Sequence, residues 1–252
     1  MPTIKLYNEK PFLLECTSKV IGIMDQGIII DKTISFPEGG GQIGDCGEII
    51  NKRTNKVYYY YDTQQINGFE IEINDFPNIK INSDIVHYIQ NEYLGEFQKG
   101  DEVRITIDKS RRKAITANHT GIHLALMEFN KIRPGIDKKI RGAKITDKYG
   151  RLDFETDQKI SKEELEIIKI NMIKLIERKE KINKYSHNES KEAIYWECDK
   201  YIVPCGGTHL TNTEQISDIN VKRKNIGKGI DRLIVETTFS DKLEVMYQIL
   251  GQ

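Results

Sequence analysis

Over the first 108 residues the apolar side chains fall in short runs separated by turn-forming residues, whereas beyond that point they recur every three or four positions. The first pattern predicts strands in TIKLY, in the stretch Phe12 to Met24, and in GIIID, VYYYY, FEIEI and EVRITID, all rich in β-branched and aromatic residues. Tyr58 to Tyr61 should turn alternate rings to opposite faces of one strand, with one face in a core. The second pattern predicts a helix from Lys109 to Phe129, then a basic, loop-like stretch, then a second helix in ISKEELEIIKINMIKLIERKEKI. In that helix Ser161 stands ahead of Glu164 at capping-box spacing, and Leu165, Ile168, Met172, Leu175 and Ile176 form one apolar stripe. Strands are expected again from Tyr195 to Val203 and around Arg232 to Glu236. The expected fold class is α+β: a small N-terminal antiparallel β-barrel over residues 1–105, followed by an α+β domain over residues 106–252.

Candidate chemistry sits on both sides of that boundary. His119 and His123 lie four residues apart in NHTGIHLALM, so on a helix both imidazoles project from one face and can reach a single ion. Cys205 and His209 lie four apart in PCGGTH, around two glycines that allow a sharp bend. These are the donor types that zinc takes, and together they hold three of the five histidines and one of the four cysteines of the chain. His87 and His187 have no partner at ligand spacing and read as ordinary residues. Earlier in the chain, FPEGGGQIGDCG places glycines at 39, 40, 41, 44 and 47, which permit positive φ and close approach of a partner to the backbone. The spacing is neither a dinucleotide fingerprint nor a P-loop.

With 38% hydrophobic and 30% charged residues in a chain of 252, the composition is that of a globular protein with room for one large or two ordinary domains. No apolar run reaches the roughly 18 residues that span a bilayer, and MPTIKLYNEKPF has no signal-peptide layout, so the expectation is a cytoplasmic chain without a membrane partner. Four irregularly spaced cysteines there argue against a disulfide framework. The formal net charge is zero, so any nucleic-acid contact has to come from local clusters. Arg111, Arg112 and Lys113 form one; Lys138, Lys139, Arg141 and Lys144 another; Lys222, Arg223, Lys224 and Lys228 a third. Arg151 and Asp153 are expected to pair structurally.

Taken together, FPEGGGQIGDCG, RRKAITANHTGIHLA, GRLDFE, PCGGTH and GKGIDRLIVE resemble, in order and spacing, the alanyl-tRNA editing domain, and in particular the free-standing editing proteins of the medium-length AlaX type. The resemblance runs from about residue 20 to residue 236, and nothing in the chain resembles the ATP-binding core of a class II synthetase. It implies a zinc-dependent hydrolase that removes a wrong amino acid, serine or glycine, from tRNA(Ala), with no role for DNA. It also implies that His119, His123, Cys205 and His209 hold one zinc ion per chain, that Gly39, Gly40, Gly41, Gln42, Gly206 and Gly207 surround the substrate, and that Arg111, Arg112, Lys113, Arg141, Lys144, Lys228 and Arg232 face the RNA. No glutamate follows His119 as in HExxH, so the helix offers no general base. Where the family often has serine after Gly142 this chain has Ala143, and Ile122 replaces a frequently small or hydroxyl-bearing residue. Thr120, Thr208 and Gln42 then remain, beside Ile122, as the pocket candidates for a serine hydroxyl. Asp231 occupies a position that is often basic. A zinc module that binds RNA without chemistry, and a zinc hydrolase of another acyl ester, are the competing readings.

Overall fold

The protein is described from a computed structural model that covers residues 2–74 and 76–251. Six antiparallel strands close a barrel in the spatial order Glu102–Ile107, Glu15–Met24, Gly27–Ile30, Asp84–Ile89, Lys56–Ile66 and Gly47–Asn51. Val20, Ile28, Ile30, Ile49, Ile89, Val103 and Ile105 fill its interior. Tyr58 and Tyr60 point inward, while Tyr59 and Tyr61 are 55% and 50% exposed, the two-residue period that a strand imposes. The barrel and the α+β class are therefore as expected from the hydrophobic pattern.

The second half builds a four-stranded sheet in the order Ile140–Ile145, Gly150–Glu155, Ile230–Phe239 and Ile216–Gly227. The helix Lys109–Ile132 lies on this sheet and is capped by Asp108, whose side chain accepts from the Arg111 N–H. It comes so close that a Cβ on Gly121 would overlap Thr237. The helix Lys162–Glu177 packs beside it through Ile168, Met172 and Leu175 and opens on the expected Ser161–Glu164 capping box. A three-stranded arm, Ile182–His187, Ser190–Cys198 and Tyr201–Pro204, carries the segment ahead of PCGGTH. Among the described residues no helix is long and apolar enough to cross a membrane.

Several elements differ from the sequence expectation. TIKLY forms only the two-residue strand Ile4–Lys5 before a helical turn at Leu6–Glu9. Strands Gly47–Asn51, Phe76–Ile81, Asp84–Ile89 and Ile140–Ile145 carry too few or too mixed apolar residues to stand out, and they are held by their ladder partners. The basic stretch after the first helix thus contains a sheet strand. The hairpin Phe69–Ile73 with Phe76–Ile81 reaches out of the barrel, and Phe76 packs edge-on against Tyr195 at 5.1 Å between centroids. A terminal helix, Asp241–Leu250, brings Tyr247 to 5.2 Å from Phe12, so an N-terminal residue belongs to the core of the second half.

One buried ion pair ties the halves together and overturns part of the expected RNA surface. Arg112 is fully buried: Nε donates to both Asp45 oxygens at 3.1 Å, and Nη2 donates to Asp45 and to the Ile34 carbonyl at 2.8 Å. Asp45 in turn accepts from the Phe36 N–H at 2.6 Å. Lys113 is also buried, pairs with Glu244, and lies 5.4 Å from the Tyr247 ring centroid. Both cations are consumed inside the fold, so neither is available to a phosphate. Asp231 is buried against Arg223 and accepts the Ile160 N–H at 2.7 Å, so an acidic residue here serves the fold. Arg112→Met would leave the Asp45 carboxylate buried without its partner and is expected to lower unfolding free energy by about 3–5 kcal/mol. Equilibrium unfolding in urea checks this, and a loss below about 1 kcal/mol would contradict it.

Candidate metal centre and its cavity

One helical turn separates His119 from His123, which brings their rings to 4.9 Å. The Cys205 N–H, donating to the Ile194 carbonyl at 2.8 Å, holds the PCGGTH loop against the arm as the chain leaves strand Tyr201–Pro204. The loop then folds over the helix. Gly207 lies so near His119 that a Cβ would overlap the imidazole, which is a physical reason for glycine there. His209 ends 4.1 Å from His119 and 4.7 Å from His123, ring to ring. The Cys205 Sγ sits 3.5 Å from His119 Nε2 and 3.2 Å from His209 Nε2. All four donor atoms lie within 4.8 Å of one another.

The orientation of each ring has an identifiable cause. His119 Nδ1–H donates to the Gln42 Oε1 at 2.7 Å, and the Thr208 N–H donates to the same oxygen at 3.0 Å. The Gln42 Nε2 group donates to Thr208 Oγ1 at 3.1 Å, and Thr116 donates to that hydroxyl at 3.0 Å. His209 Nδ1 meets the Thr120 hydroxyl at 3.3 Å, which also accepts the Leu210 N–H at 3.0 Å. Both rings therefore turn Nε2, with its lone pair free, toward Cys205. His123 Nδ1 is buried with no partner among the described residues. Burial, reinforced by Lys184 and, for His119 and His209, by neighbouring histidines, holds the imidazoles well below their ordinary range, His123 at about 3. Burial raises the Cys205 thiol. Neutral imidazoles and a soft sulfur crowded together, with one nitrogen lacking any hydrogen bond, fit a borderline-soft cation such as zinc.

A residue with no sequence signature completes the loop. Lys184, on the arm strand Ile182–His187, donates from Nζ to the Gly207 carbonyl at 2.5 Å and more distantly to that of Gly206 at 3.4 Å. Burial lowers its ammonium to about 8. It clamps the two glycines between cysteine and histidine.

The donor cluster opens on a cavity of about 660 Å³. Gly39, Gly40, Gly206, Gly207, Ile122 and Ala143 line it together with His119, His123 and Cys205. Ile122 borders this space and leaves it open. Gly41 does not line it: at φ +85° it is pressed onto Ala143, and its carbonyl accepts the Ile145 N–H at 2.7 Å. Gln42, Thr120 and Thr208, expected in the pocket wall, instead stand behind the donors, where their polar groups are used to orient imidazoles. The glycine loop also spends two of its N–H groups on itself, because Gly39 and Gln42 exchange hydrogen bonds at 3.0 Å.

The remaining cations expected at RNA are dispersed. Arg111 is half-buried and donates to the Gly44 carbonyl at 3.1 Å. Arg141 is exposed and pairs with Glu155, and Arg232 is engaged by Asp153, which also holds Arg151. Lys144 and Lys228 are exposed, with no ion pair among the described residues.

Comparison with known proteins agrees with the motifs. The family described as the threonyl and alanyl tRNA synthetase second additional domain matches residues 194–234. The alanyl-tRNA editing protein AlaX-M of Pyrococcus horikoshii is 29% identical, the match covering 92% of this chain and 96% of that protein. Alanine–tRNA ligases of Saccharolobus islandicus and Ignicoccus hospitalis are each 30% identical over 92% of this chain. The chain spans about a quarter, 26%, of the length of those ligases. Along nearly its whole length, therefore, the chain is similar to a free-standing alanyl-tRNA editing protein and to one region of alanine–tRNA ligases.

Proposed function

We propose that this protein is a zinc-dependent deacylase that hydrolyses the ester of mischarged tRNA(Ala), with serine or glycine as the amino acid removed. The observation that carries this reading is the convergence of His119, His123, Cys205 and His209 at the wall of a cavity of about 660 Å³. An open cavity supports chemistry over a purely structural metal module, whose donors would be packed over by side chains. The similarity to AlaX-M over 92% of the chain supports tRNA(Ala) as the partner. The need for such an activity is physical: an alanine site cannot exclude the smaller glycine and rejects an added hydroxyl poorly, so a second, hydrolytic site is required.

His119, His123, Cys205 and His209 would hold the ion, and zinc bound there supplies Lewis-acid polarisation of a carbonyl. The protein's own contribution is orientation. Gln42 and Thr120 fix two imidazoles, Lys184 fixes the glycine carbonyls of the loop, and Ile122 with Ala143 provides apolar walls that exclude water from part of the acyl site. Glu192, also on the cavity, is committed to Lys5 and to the Asn82 N–H at 3.0 Å, so it is not poised as a general base.

Purified protein is expected to carry about one zinc per chain, and His123→Ala or Cys205→Ala to lose it, by elemental analysis. Gln42→Ala, which removes no donor, should weaken zinc roughly 10–100-fold in a chelator competition, in line with other outer-shell ligand partners. Unchanged affinity would mean that the His119 orientation is set elsewhere.

In a deacylation assay, Ser-tRNA(Ala) is expected to be hydrolysed about tenfold or more faster than Ala-tRNA(Ala), because a shaped wall is required to spare the correct product. Equal rates on both would remove the proofreading reading. Retained zinc without any deacylation would leave the structural module.

RNA affinity should fall steeply with salt, and the Lys144→Ala, Lys228→Ala double variant should flatten that slope by about one to two ions released. If the slope is unchanged, the RNA lies on another face.

A further inference from the structure

A seryl or glycyl group, with its handful of heavy atoms, would leave most of this space empty: about 660 Å³ lies within the ~300–1,000 Å³ range of sites that enclose a whole drug-sized ligand. The cavity wall also carries polar groups outside the donor set. Asp137 and Tyr201 both line it, and the Asp137 Oδ1 and the Tyr201 phenol oxygen are buried with no hydrogen-bond partner among the described residues. The two groups sense each other, since burial and then the Asp137 charge push the Tyr201 phenol up to about 12, yet no hydrogen bond joins them. Orphaned buried polar atoms are costly unless a ligand or water completes them.

Their distance from the donors follows from the chain. Tyr201 precedes Cys205 by four residues of extended strand, about 13 Å of chain at ~3.3 Å per residue. On another strand of the lining, Ile140, three residues after Asp137, is five residues from Ile145, whose carbonyl holds the Ile43 N–H, and this is about 16 Å of strand. That separation is too long for the amino group of a bound aminoacyl ester. It suits the far edge of a nucleoside whose ribose carries that ester. Ile140, Leu126 and Val203 also line the cavity and offer apolar surface that can receive the faces of a base ring.

We infer that Asp137 and Tyr201 form the subsite for the base of the terminal nucleotide: the carboxylate accepts from the exocyclic amino group of adenine, and the phenol donates to the adjacent ring nitrogen. An adenine edge sets an N–H donor beside a ring-nitrogen acceptor, which is the complement of an acceptor and a donor facing one gap. The inference rests on the deacylase reading and extends it to residues outside the family motifs.

The test uses the zinc-loaded full chain and two chemically acylated seryl-tRNA(Ala) substrates, one ending in adenosine and one in purine riboside, which lacks only the amino group. Wild type is expected to favour the adenosine end roughly five- to a hundredfold in kcat/KM, the discrimination typical of paired base-edge contacts. Asp137→Ala should erase this preference by losing rate on the adenosine substrate alone, while isosteric Tyr201→Phe should slow both substrates alike. Unchanged zinc content in both variants distinguishes these effects from misfolding. Equal wild-type rates on the two ends, or an Asp137→Ala protein that keeps the preference, would overturn the subsite and leave the deacylase standing. Hydrolysis of neither substrate by wild type would overturn both.

Discussion

The amide of Gln42 is the contact on which the site depends. It belongs to the glycine-rich loop of the barrel half, yet its oxygen receives the His119 imidazole N–H and the Thr208 backbone N–H, one from each metal-donor segment. A single side chain thereby fixes the helix and the PCGGTH loop relative to one another. A ligand set drawn from two segments 86 residues apart, as Cys205 and His119 are, needs such a third body to hold its geometry before any ion arrives. The loop itself is rigid because it is fastened at both ends. Its base is closed by Asp45, which accepts from Phe36 and Arg112, and its tip is docked by the Gly41 carbonyl on the Ile145 N–H.

The same fastening makes the two halves one physical object. Arg112 stands on the helix Lys109–Ile132 and Asp45 on the barrel loop, so the buried charge of each is neutralised only when the halves are together. Phe12 against Tyr247 repeats the arrangement at the other end of the chain. A barrel of this size has its own core, but the second half borrows a side chain from residue 12 to finish its own.

What could be read from the chain alone was whatever is written locally. The HxxxH helix, the capping box at Ser161, the tyrosine alternation and the CxxxH turn all depend on spacing within a few residues, and each is found as expected. What could not be read depends on partners distant in sequence. Nothing near Arg112 announces Asp45, 67 residues away, so a basic triplet read as an RNA surface proves two-thirds buried in identity. Gln42, Thr120 and Thr208 were legible as polar residues beside the motifs, but their side toward the donors, and not toward the cavity, is decided by long-range packing. Lys184 carried no signal at all, because contact with two backbone carbonyls leaves no mark in residue type or spacing. The strand Ile140–Ile145 was obscured by its lysine and arginine, whose side chains point to solvent while the backbone pairs with Gly150–Glu155.

The displacement of Gln42, Thr120 and Thr208 from the cavity changes what selectivity can rest on. Near the donors the cavity walls are Ile122, Ala143 and the glycines of the two loops, so no threonine or serine hydroxyl faces the acyl group from those positions. For the proposed seryl substrate, recognition of its hydroxyl then falls to backbone groups of Gly39, Gly40, Gly206 and Gly207, whose lack of side chains lets a ligand approach the main chain. Two of those carbonyls, of Gly206 and Gly207, are already oriented by Lys184. Main-chain groups cannot be altered by substitution without moving the loop, so a site that relied on them would need no hydroxyl side chain at Ala143 or Ile122, only a loop that Gln42 and Lys184 jointly hold still.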